Sequence, residues 1–286
     1  MEGASGGDKD GARLKETSAS AILSRAATPF AHASRALSAA AMRMLLSNDD
    51  GIDAPGLAAL EEALRALGEV VVVAPATEQS AKSHSLTMHR PLRVSRRGPG
   101  RYAVTGTPAD AVYLALHHLV PGYVDLVVSG INRGGNLGGD VHYSGTVAAA
   151  REACMQGVPA MAVSARSVDG VVHFDTAAQV AVDAARRLLD HPLPRGVFLN
   201  VNVPCVPPSE LRGARVVPLG ERTYAHAVDE RVDPRGGVYY WIGGPHLAFE
   251  GGDDTDGAAV EAGFASLTPL GADPTNLAAL EALRGW

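Results

Sequence analysis

Four consecutive valines in the segment Glu69–Ala74 constrain the fold of this chain more than any other feature of its sequence. An uninterrupted apolar run of this kind is typical of a strand buried on both faces, and such strands belong to parallel sheets covered by helices. Further strands are predicted at Met44–Ser47, Asp125–Ser129, Ala160–Ser164 and Val197–Val203. The sequence therefore predicts a mostly parallel sheet.

Amphipathic segments alternate with these apolar runs. They predict helices at Pro55–Leu67, Asp110–Leu119, Val147–Met155 and Asp175–Leu189. Short strands are expected near Leu92–Val94 and Tyr102–Thr105, a late strand at Phe264–Thr268 and a terminal helix at Asn276–Arg284. Alternating strands and helices indicate an α/β fold, a three-layer, doubly wound, mostly parallel Rossmann-like sheet.

Two regions fall outside this alternation. Residues 1–41 are rich in Ala, Ser and Gly and carry no strand pattern, so we interpret them as a disordered extension or a mis-assigned start, with the globular domain at 42–286. Residues 222–246 hold Asp233-Pro234-Arg235-Gly236 between β-prone flanks, which predicts a C-terminal β-hairpin excursion.

Composition excludes several classes of protein. A net charge of −6 argues against a surface for a nucleic-acid duplex, which needs a basic stripe. No apolar run reaches the ~18 residues of a membrane span, so we expect no membrane partner. The only cysteines are Cys154 and Cys205, which suits a reducing cytoplasm better than a disulfide framework.

An acidic pair, Asp49-Asp50, follows the first predicted strand directly. The carboxyl ends of parallel strands border the crevice in which open α/β sheets bind ligands. Two carboxylates there repel each other unless a cation lies between them, and Mg²⁺ or Mn²⁺ prefers such oxygen ligands. Asn-Asp-Asp-Gly is also a common turn, so these residues alone leave both interpretations open.

Other polar loops follow strands and should gather at the same edge. One contains Ser80, another Gly106 and Thr107, and a third is a glycine-rich loop that runs into Ser144, Gly145 and Thr146 at the start of a helix. Such loops expose backbone N–H groups to an anion, and Ser144 and Thr146 can add hydroxyl donors. The candidate phosphate or substrate contacts are Asn48, Gly106, Thr107, Ser144, Gly145 and Thr146.

The stretch from Met44 to about Pro269 resembles the SurE family of stationary-phase survival nucleotidases. The resemblance rests on Ser47-Asn48-Asp49-Asp50-Gly51-Ile52, Val73-Ala74-Pro75 with Ser80, Gly106-Thr107-Pro108-Ala109-Asp110, Val128-Ser129-Gly130-Ile131-Asn132 with Asn136, Gly138 and Asp140, Tyr143-Ser144-Gly145-Thr146-Val147, Leu199-Asn200-Val201-Asn202-Val203-Pro204 and Tyr239-Tyr240-Trp241-Ile242-Gly243. Residues 1–41 lie outside it.

The resemblance implies a SurE-like fold and a phosphatase that depends on one divalent metal ion, Mg²⁺ or Mn²⁺. Its implied substrates are nucleoside 5′- and 3′-monophosphates, with short polyphosphate for some members, and it suggests a homodimer or homotetramer. The implied metal ligands are Asp49, Asp50, Ser80 and Asn132, with catalysis by a water that the metal activates at the two aspartates. Lys82 stands where many relatives have a small residue, which puts substrate preference in doubt.

Functions of other classes compete with this hypothesis. A phospho-receiver module needs an aspartate at the end of a central strand, where this chain has Ala74-Pro75 and Ser129-Gly130. A dinucleotide dehydrogenase needs Gly-x-Gly-x-x-Gly after the first strand, and a haloacid-dehalogenase phosphatase needs two aspartates one residue apart. A non-catalytic nucleotide- or phosphate-binding regulatory protein is the alternative that the residues leave open.

Overall fold

A computed structural model describes residues 42–224, 227–243 and 246–286 of the chain. The extension predicted at residues 1–41 lies outside the described residues. The strands are β1 (Met42–Ser47), β2 (Gly68–Pro75), β3 (Val94–Gly98), β4 (Arg101–Val104), β5 (Leu126–Arg133), β6 (Ala160–Ala165), β7 (Val197–Val203), β8 (Ala214–Val216), β9 (Glu221–Tyr224), β10 (Ala227–Val232), β11 (Val238–Gly243), β12 (His246–Glu250) and β13 (Ala265–Gly271). The helices are α1 (Pro55–Leu64), α2 (Pro108–Leu114), α3 (Gly145–Met155), α4 (Phe174–Asp190), α5 (Asp256–Glu261) and α6 (Leu277–Leu283).

Nine of these strands form one mixed sheet in the order β3-β4-β2-β1-β5-β6-β7-β13-β8. The central pairs are parallel, whereas β3 pairs with β4 and β13 with β7 in the antiparallel sense. The valines of β2 are buried, as expected for an inner strand with helices on both sides. The prediction of a mostly parallel α/β sheet is confirmed.

Helices cover both faces of this sheet. Leu57 and Leu60 of α1 join α4 in one apolar cluster with Met44 and Leu46 of β1. The intervening Leu45 points to the opposite face, where α2 and α3 cover the sheet. Successive side chains of one strand thus point alternately into the two apolar layers. The prediction of a three-layer fold is confirmed.

Most predicted elements lie within a few residues of the observed ones. The strand expected near Leu92–Val94 is wrong in its bounds, since β3 begins only at Val94. The helix expected at Asp110–Leu119 begins earlier, at Pro108, and ends in a π-helical turn from Ala115 to Leu119. Strand β5 continues to Arg133, and its register with β6 shifts between Ser129 and Asn132. The sequence predicted that the strand would end at Ser129 and that a loop would follow.

The hairpin prediction is confirmed. β10 and β11 form a two-stranded antiparallel sheet separate from the nine-stranded one. Asp233 Oδ1 closes the connecting loop by accepting from the backbone N–H groups of Arg235 and Gly237. Among the described residues, no helix is both long and apolar enough to cross a membrane.

The close approach of α1 to β5 generates a stability prediction. A Cβ on Gly56 would lie 2.0 Å from the carbonyl oxygen of Ile131 and 2.9 Å from Phe174. We expect Gly56→Ala to lower the free energy of unfolding by about 1–3 kcal/mol, because backbone must move to relieve the overlap. Gly139→Ala is the matched control: nothing lies within 4 Å of its Cβ position, so its effect should stay within about 0.5 kcal/mol. Equal urea midpoints for both variants would contradict this account.

Candidate functional site

The candidate site lies at the carboxyl end of β1, near the middle of the sheet. β2 pairs with one side of β1 and β5 with the other, so the chain reverses its winding direction here. A crevice forms beside such a switch point because the loops after the two flanking strands diverge to opposite faces. The loops after β1, β2 and β5 therefore converge where ligands bind in folds of this class.

Asp49 and Asp50 stand directly after β1, as the sequence predicted. Asp49 is 5% exposed, and its backbone oxygen accepts from the N–H of Gln79 at 2.7 Å. Asp50 is partly exposed, and its Oδ2 accepts from the backbone N–H of Arg133 at 3.2 Å. These bonds connect the acidic pair to the loop after β2 and to the end of β5.

The first turn of α3 lies against the Asp49 carboxylate. The Thr146 hydroxyl donates to Asp49 Oδ1, and Thr146 is completely buried. A Cβ on the preceding Gly145 would lie 2.7 Å from Asp49 Cβ, so only glycine permits this approach. Thr146 therefore orients the carboxylate, which differs from the direct contact with phosphate that the sequence suggested.

The electrostatics of the acidic pair favour a bound cation. The pKa of Asp49 is raised to about 6, chiefly by burial and also by the charge of Asp50, against the opposing effect of the hydrogen bond from Thr146. Burial also raises the pKa of Asp50, and the nearby carboxylate of Glu78 adds to this effect. A divalent cation between the two carboxylates would offset these costs of ionisation.

Ser80 and Asn132 supply neutral oxygens to the same cavity. The Ser80 hydroxyl donates to Glu78 Oε1 at 2.8 Å, which leaves its lone pairs available to a cation. The Asn132 side chain donates through Nδ2 to the carbonyl oxygen of Gly134 at 2.7 Å, so Oδ1 is the atom that remains as a ligand. Both side chains line one cavity of about 810 Å³ together with Asp49 and Asp50.

The donor set fits a hard divalent cation. Two carboxylates, a hydroxyl and an amide oxygen are the ligand types that Mg²⁺ and Mn²⁺ prefer. Within the described ranges, no group of three or more His, Cys, Asp or Glu side chains is arranged to hold a metal. A cation here would depend on the neutral oxygens as well as on the acidic pair.

Of the six candidate phosphate contacts, only Ser144 lines this cavity. All six are buried, and five of them lie outside the cavity lining: Asn48, Gly106, Thr107, Gly145 and Thr146. Thr107 caps α2 by accepting from the N–H of Asp110, and its own hydroxyl donates to the carbonyl oxygen of Ser85. The Asn48 amide donates to the carbonyl oxygen of Gly51. These hydrogen bonds give Thr107 and Asn48 roles in holding loops.

The cavity also contains residues that were not among the predicted metal ligands or phosphate contacts. They are chiefly Glu78, Asp140, Tyr143, Arg166 and Phe174. Arg166 directly follows β6, so the rule that located Asp49, that polar residues at strand ends meet at one edge, could also have located it. Phe174 gave no comparable signal, because an isolated aromatic residue at a helix start has no pattern.

The fold and the site together define a doubly wound α/β protein with an acidic, cation-accepting crevice at its switch point. Comparison with known proteins makes this more specific: the family model described as "Survival protein SurE" matches residues 44–226. The chain belongs to the SurE family, and the predicted resemblance is confirmed.

Individual relatives agree with this assignment. The chain is 50% identical over 245 residues to a "5'-nucleotidase SurE" of Geobacter sulfurreducens, which spans 86% of this chain and 94% of that protein. It is also 50% identical over 246 residues to a "5'/3'-nucleotidase SurE" of Proteus mirabilis, spanning 86% and 96%. The crystal structure of the SurE protein from Aquifex aeolicus superimposes with a TM-score of 0.76 at 40% identity, covering 85% of this chain and 98% of that one.

The raised pKa of Asp49 predicts that this residue destabilises the metal-free fold at neutral pH. Its pKa of about 6 exceeds the ordinary value of 3.8, so the folded state binds a proton more tightly than the unfolded state between these values. Ionisation at higher pH therefore costs stability on the order of 2–3 kcal/mol. In EDTA, Asp49→Asn should raise the melting temperature at pH 8, and this gain should shrink as the pH falls to 4.5. A gain in melting temperature that does not depend on pH would contradict the raised pKa of Asp49. The control variant is Asp53→Asn, which changes an exposed carboxylate.

The contact between Thr146 and Asp49 predicts an effect on metal binding. Thr146→Val keeps the shape of the side chain but removes the donor, so Mn²⁺ affinity should fall about tenfold, as expected for a lost hydrogen bond to a charged group. Thr146→Ser keeps the donor and should bind Mn²⁺ nearly as well as the parent chain. Titration calorimetry measures both affinities. Unchanged affinity in Thr146→Val, with a raised KM alone, would instead support direct contact with phosphate.

Proposed function

We propose that this chain is a metal-dependent phosphomonoesterase that hydrolyses nucleoside 5′-monophosphates, and also 3′-monophosphates and short polyphosphate, with release of phosphate. The observation that carries the proposal is that Asp49, Asp50, Ser80 and Asn132 all line one cavity at the switch point. The names of the relatives, 5'-nucleotidase and 5'/3'-nucleotidase, support the same reaction.

These four cavity-lining residues are the proposed ligands of one divalent ion, Mg²⁺ or Mn²⁺. When bound, such an ion would neutralise phosphate charge and lower the pKa of a coordinated water. Asp49 and Asp50 are the catalytic residues in this proposal, because their charge fixes the ion where the phosphate enters. Thr146 keeps Asp49 oriented, and the bond from Arg133 N–H does the same for Asp50.

The rest of the cavity supplies groups for the substrate. Ser144 is the N-cap of α3, and its oxygen accepts from the N–H of Val147, so the hydroxyl proton is free to donate to a phosphate oxygen. Arg133 and Arg166 contribute positive charge to the same cavity. The Arg133 guanidinium donates to the carbonyl oxygen of Gly170 at 3.1 Å, which holds it in place. Their positive charge offsets the acidity of the carboxylates in the same cavity for an incoming anion.

A homodimer or homotetramer belongs to the same proposal. Large apolar side chains on β11 and α6 are exposed in the single chain, among them Trp241 and Ile242 on β11 and Leu277 on α6. Surfaces of this kind commonly mark contacts with another chain, here a second copy.

Both cysteines are free, and the cytoplasmic location inferred from cysteine usage stays a prediction.

A substrate and metal panel tests the proposed function directly. Phosphate release should occur with nucleoside 5′-monophosphates, cease in EDTA, and return with Mn²⁺ or Mg²⁺. Asn132→Ala should lower metal affinity and kcat together, because it removes a ligand oxygen, whereas Asp53→Ala changes an exposed carboxylate outside the cavity lining and should have no effect. Turnover that survives exhaustive chelation would contradict the metal-dependent mechanism. Nucleotide binding without phosphate release under any metal would favour the regulatory alternative.

A further inference from the structure

The short segment that carries Ser80 is held at both of its ends. At its start, the N–H of Gln79 donates to the backbone oxygen of Asp49. At its end, Ser83 donates twice to the turn before α3, from its N–H to Tyr143 O at 3.0 Å and from its hydroxyl to His142 O at 2.6 Å. The position of Ser80 therefore depends on contacts made several residues away.

The backbone between these ends is strained. Ala81 has a φ of 57° and Ser83 a φ of 52°, so two residues with side chains adopt the left-handed conformation that favours glycine. Such conformations cost free energy and persist where surrounding contacts hold them. Contacts after Ser83 must therefore help to prevent this segment from relaxing away from Asp49.

The strongest such contact joins His84 to Glu152 on α3. His84 Nε2 lies 2.7 Å from Glu152 Oε2, and the Glu152 side chain is only 3% exposed. The other carboxylate oxygen accepts from Gln156 Nε2 at 2.8 Å. Burial alone would raise the pKa of Glu152, but hydrogen bonds from His84 and Gln156 outweigh it and keep the pKa below its ordinary value. Glu152 is thus a buried, ionised partner for the imidazole.

Neither member of the His84–Glu152 pair lines the cavity, so neither is placed to contact substrate. The pair does connect two parts of the site through one helix. Thr146 in the first turn of α3 contacts Asp49, and Glu152, six residues further along, contacts the loop of Ser80. At 1.5 Å per residue, these two positions are about 9 Å apart along a rigid element.

We propose that His84 and Glu152 are positioning residues that fix the Ser80 hydroxyl relative to the Asp49 carboxylate by holding the Ser80 loop on α3. This inference rests on the proposed role of Ser80 as a metal ligand. Without the pair, the strained segment relaxes, Ser80 no longer shares a fixed geometry with Asp49, and the site loses one neutral oxygen donor.

The first test uses the full-length metal-free protein. His84→Ala should increase hydrogen exchange at the amides of Gln79 and Ser83 about tenfold, the value of one lost charge-assisted bond. Glu152→Ala should behave in the same way, and Glu152→Gln should restore most of the protection, because it keeps an acceptor oxygen. His89→Ala changes an exposed histidine of the same loop and should have no effect. If Glu152→Ala does not fold, His84→Leu removes the donor from the partly exposed side of the pair and should give the same increase in exchange.

The second test is a double-mutant cycle on Mn²⁺ affinity, measured by calorimetry. His84→Ala and Ser80→Ala should each weaken binding about tenfold, and the double variant should be no weaker than Ser80→Ala alone, because the pair acts through Ser80. Additive losses, or unchanged affinity and exchange in His84→Ala, would overturn the positioning role. Unchanged affinity in Ser80→Ala would instead contradict the proposed metal site, so the two failures are distinguishable.

Discussion

The Asp49 carboxylate is buried beside that of Asp50 at the end of a central strand, and two like charges so close are unfavourable unless a cation accompanies them. Much of the surrounding structure is arranged to keep this unfavourable pair in place. Thr146 donates to one carboxylate, the backbone of Arg133 donates to the other, and Gly145 allows α3 to approach. The free energy that the fold gives up here is recovered when a cation binds, which couples metal binding to stability.

The sheet topology explains how oxygen ligands from distant parts of the chain come to lie beside the Asp49–Asp50 pair. β1 lies between β2 and β5, so the loops after all three strands meet at one edge. Each strand end brings one kind of oxygen: the acidic pair follows β1, the Ser80 hydroxyl follows β2, and the Asn132 amide lies in the last residues of β5. Helix α3 then fixes the first two relative to each other, through Thr146 at its start and Glu152 further along.

Sequence patterns predicted the sheet and the position of the acidic pair for identifiable physical reasons, whereas Ser80 and Asn132 were implied as ligands only by the family resemblance. The valines of β2 and the alternation in β1 are local properties, and strand ends in a parallel sheet meet at one edge whatever the details of packing. The hydrogen bonds that the hydroxyls of Thr146 and Thr107 donate within the protein could not be predicted in this way. Their partners, Asp49 and Ser85, are distant in sequence or set by a loop conformation, so only the folded structure shows which hydroxyls bond within the protein.

The same limit applies to the edges of the fold. β4 inserts between β3 and β2, and the end of β5 passes its register irregularity before it reaches Asn132. Neither feature has a sequence pattern of its own, because each depends on how neighbouring strands pair. Arg166 is a different case: it follows β6 as directly as Asp49 follows β1, and the same rule would have included it.

The central claim is that one divalent ion is held by oxygens from three separate segments, which lie at or just after the ends of β1, β2 and β5. A crystal structure of the protein grown with Mn²⁺, with anomalous scattering collected at the manganese edge, tests it most directly. The account predicts one strong anomalous peak in the cavity at the end of β1, about 2.2 Å from oxygens of Asp49, Asp50, Ser80 and Asn132. A peak that contacts neither aspartate, or no ordered manganese at saturating concentration, would contradict it.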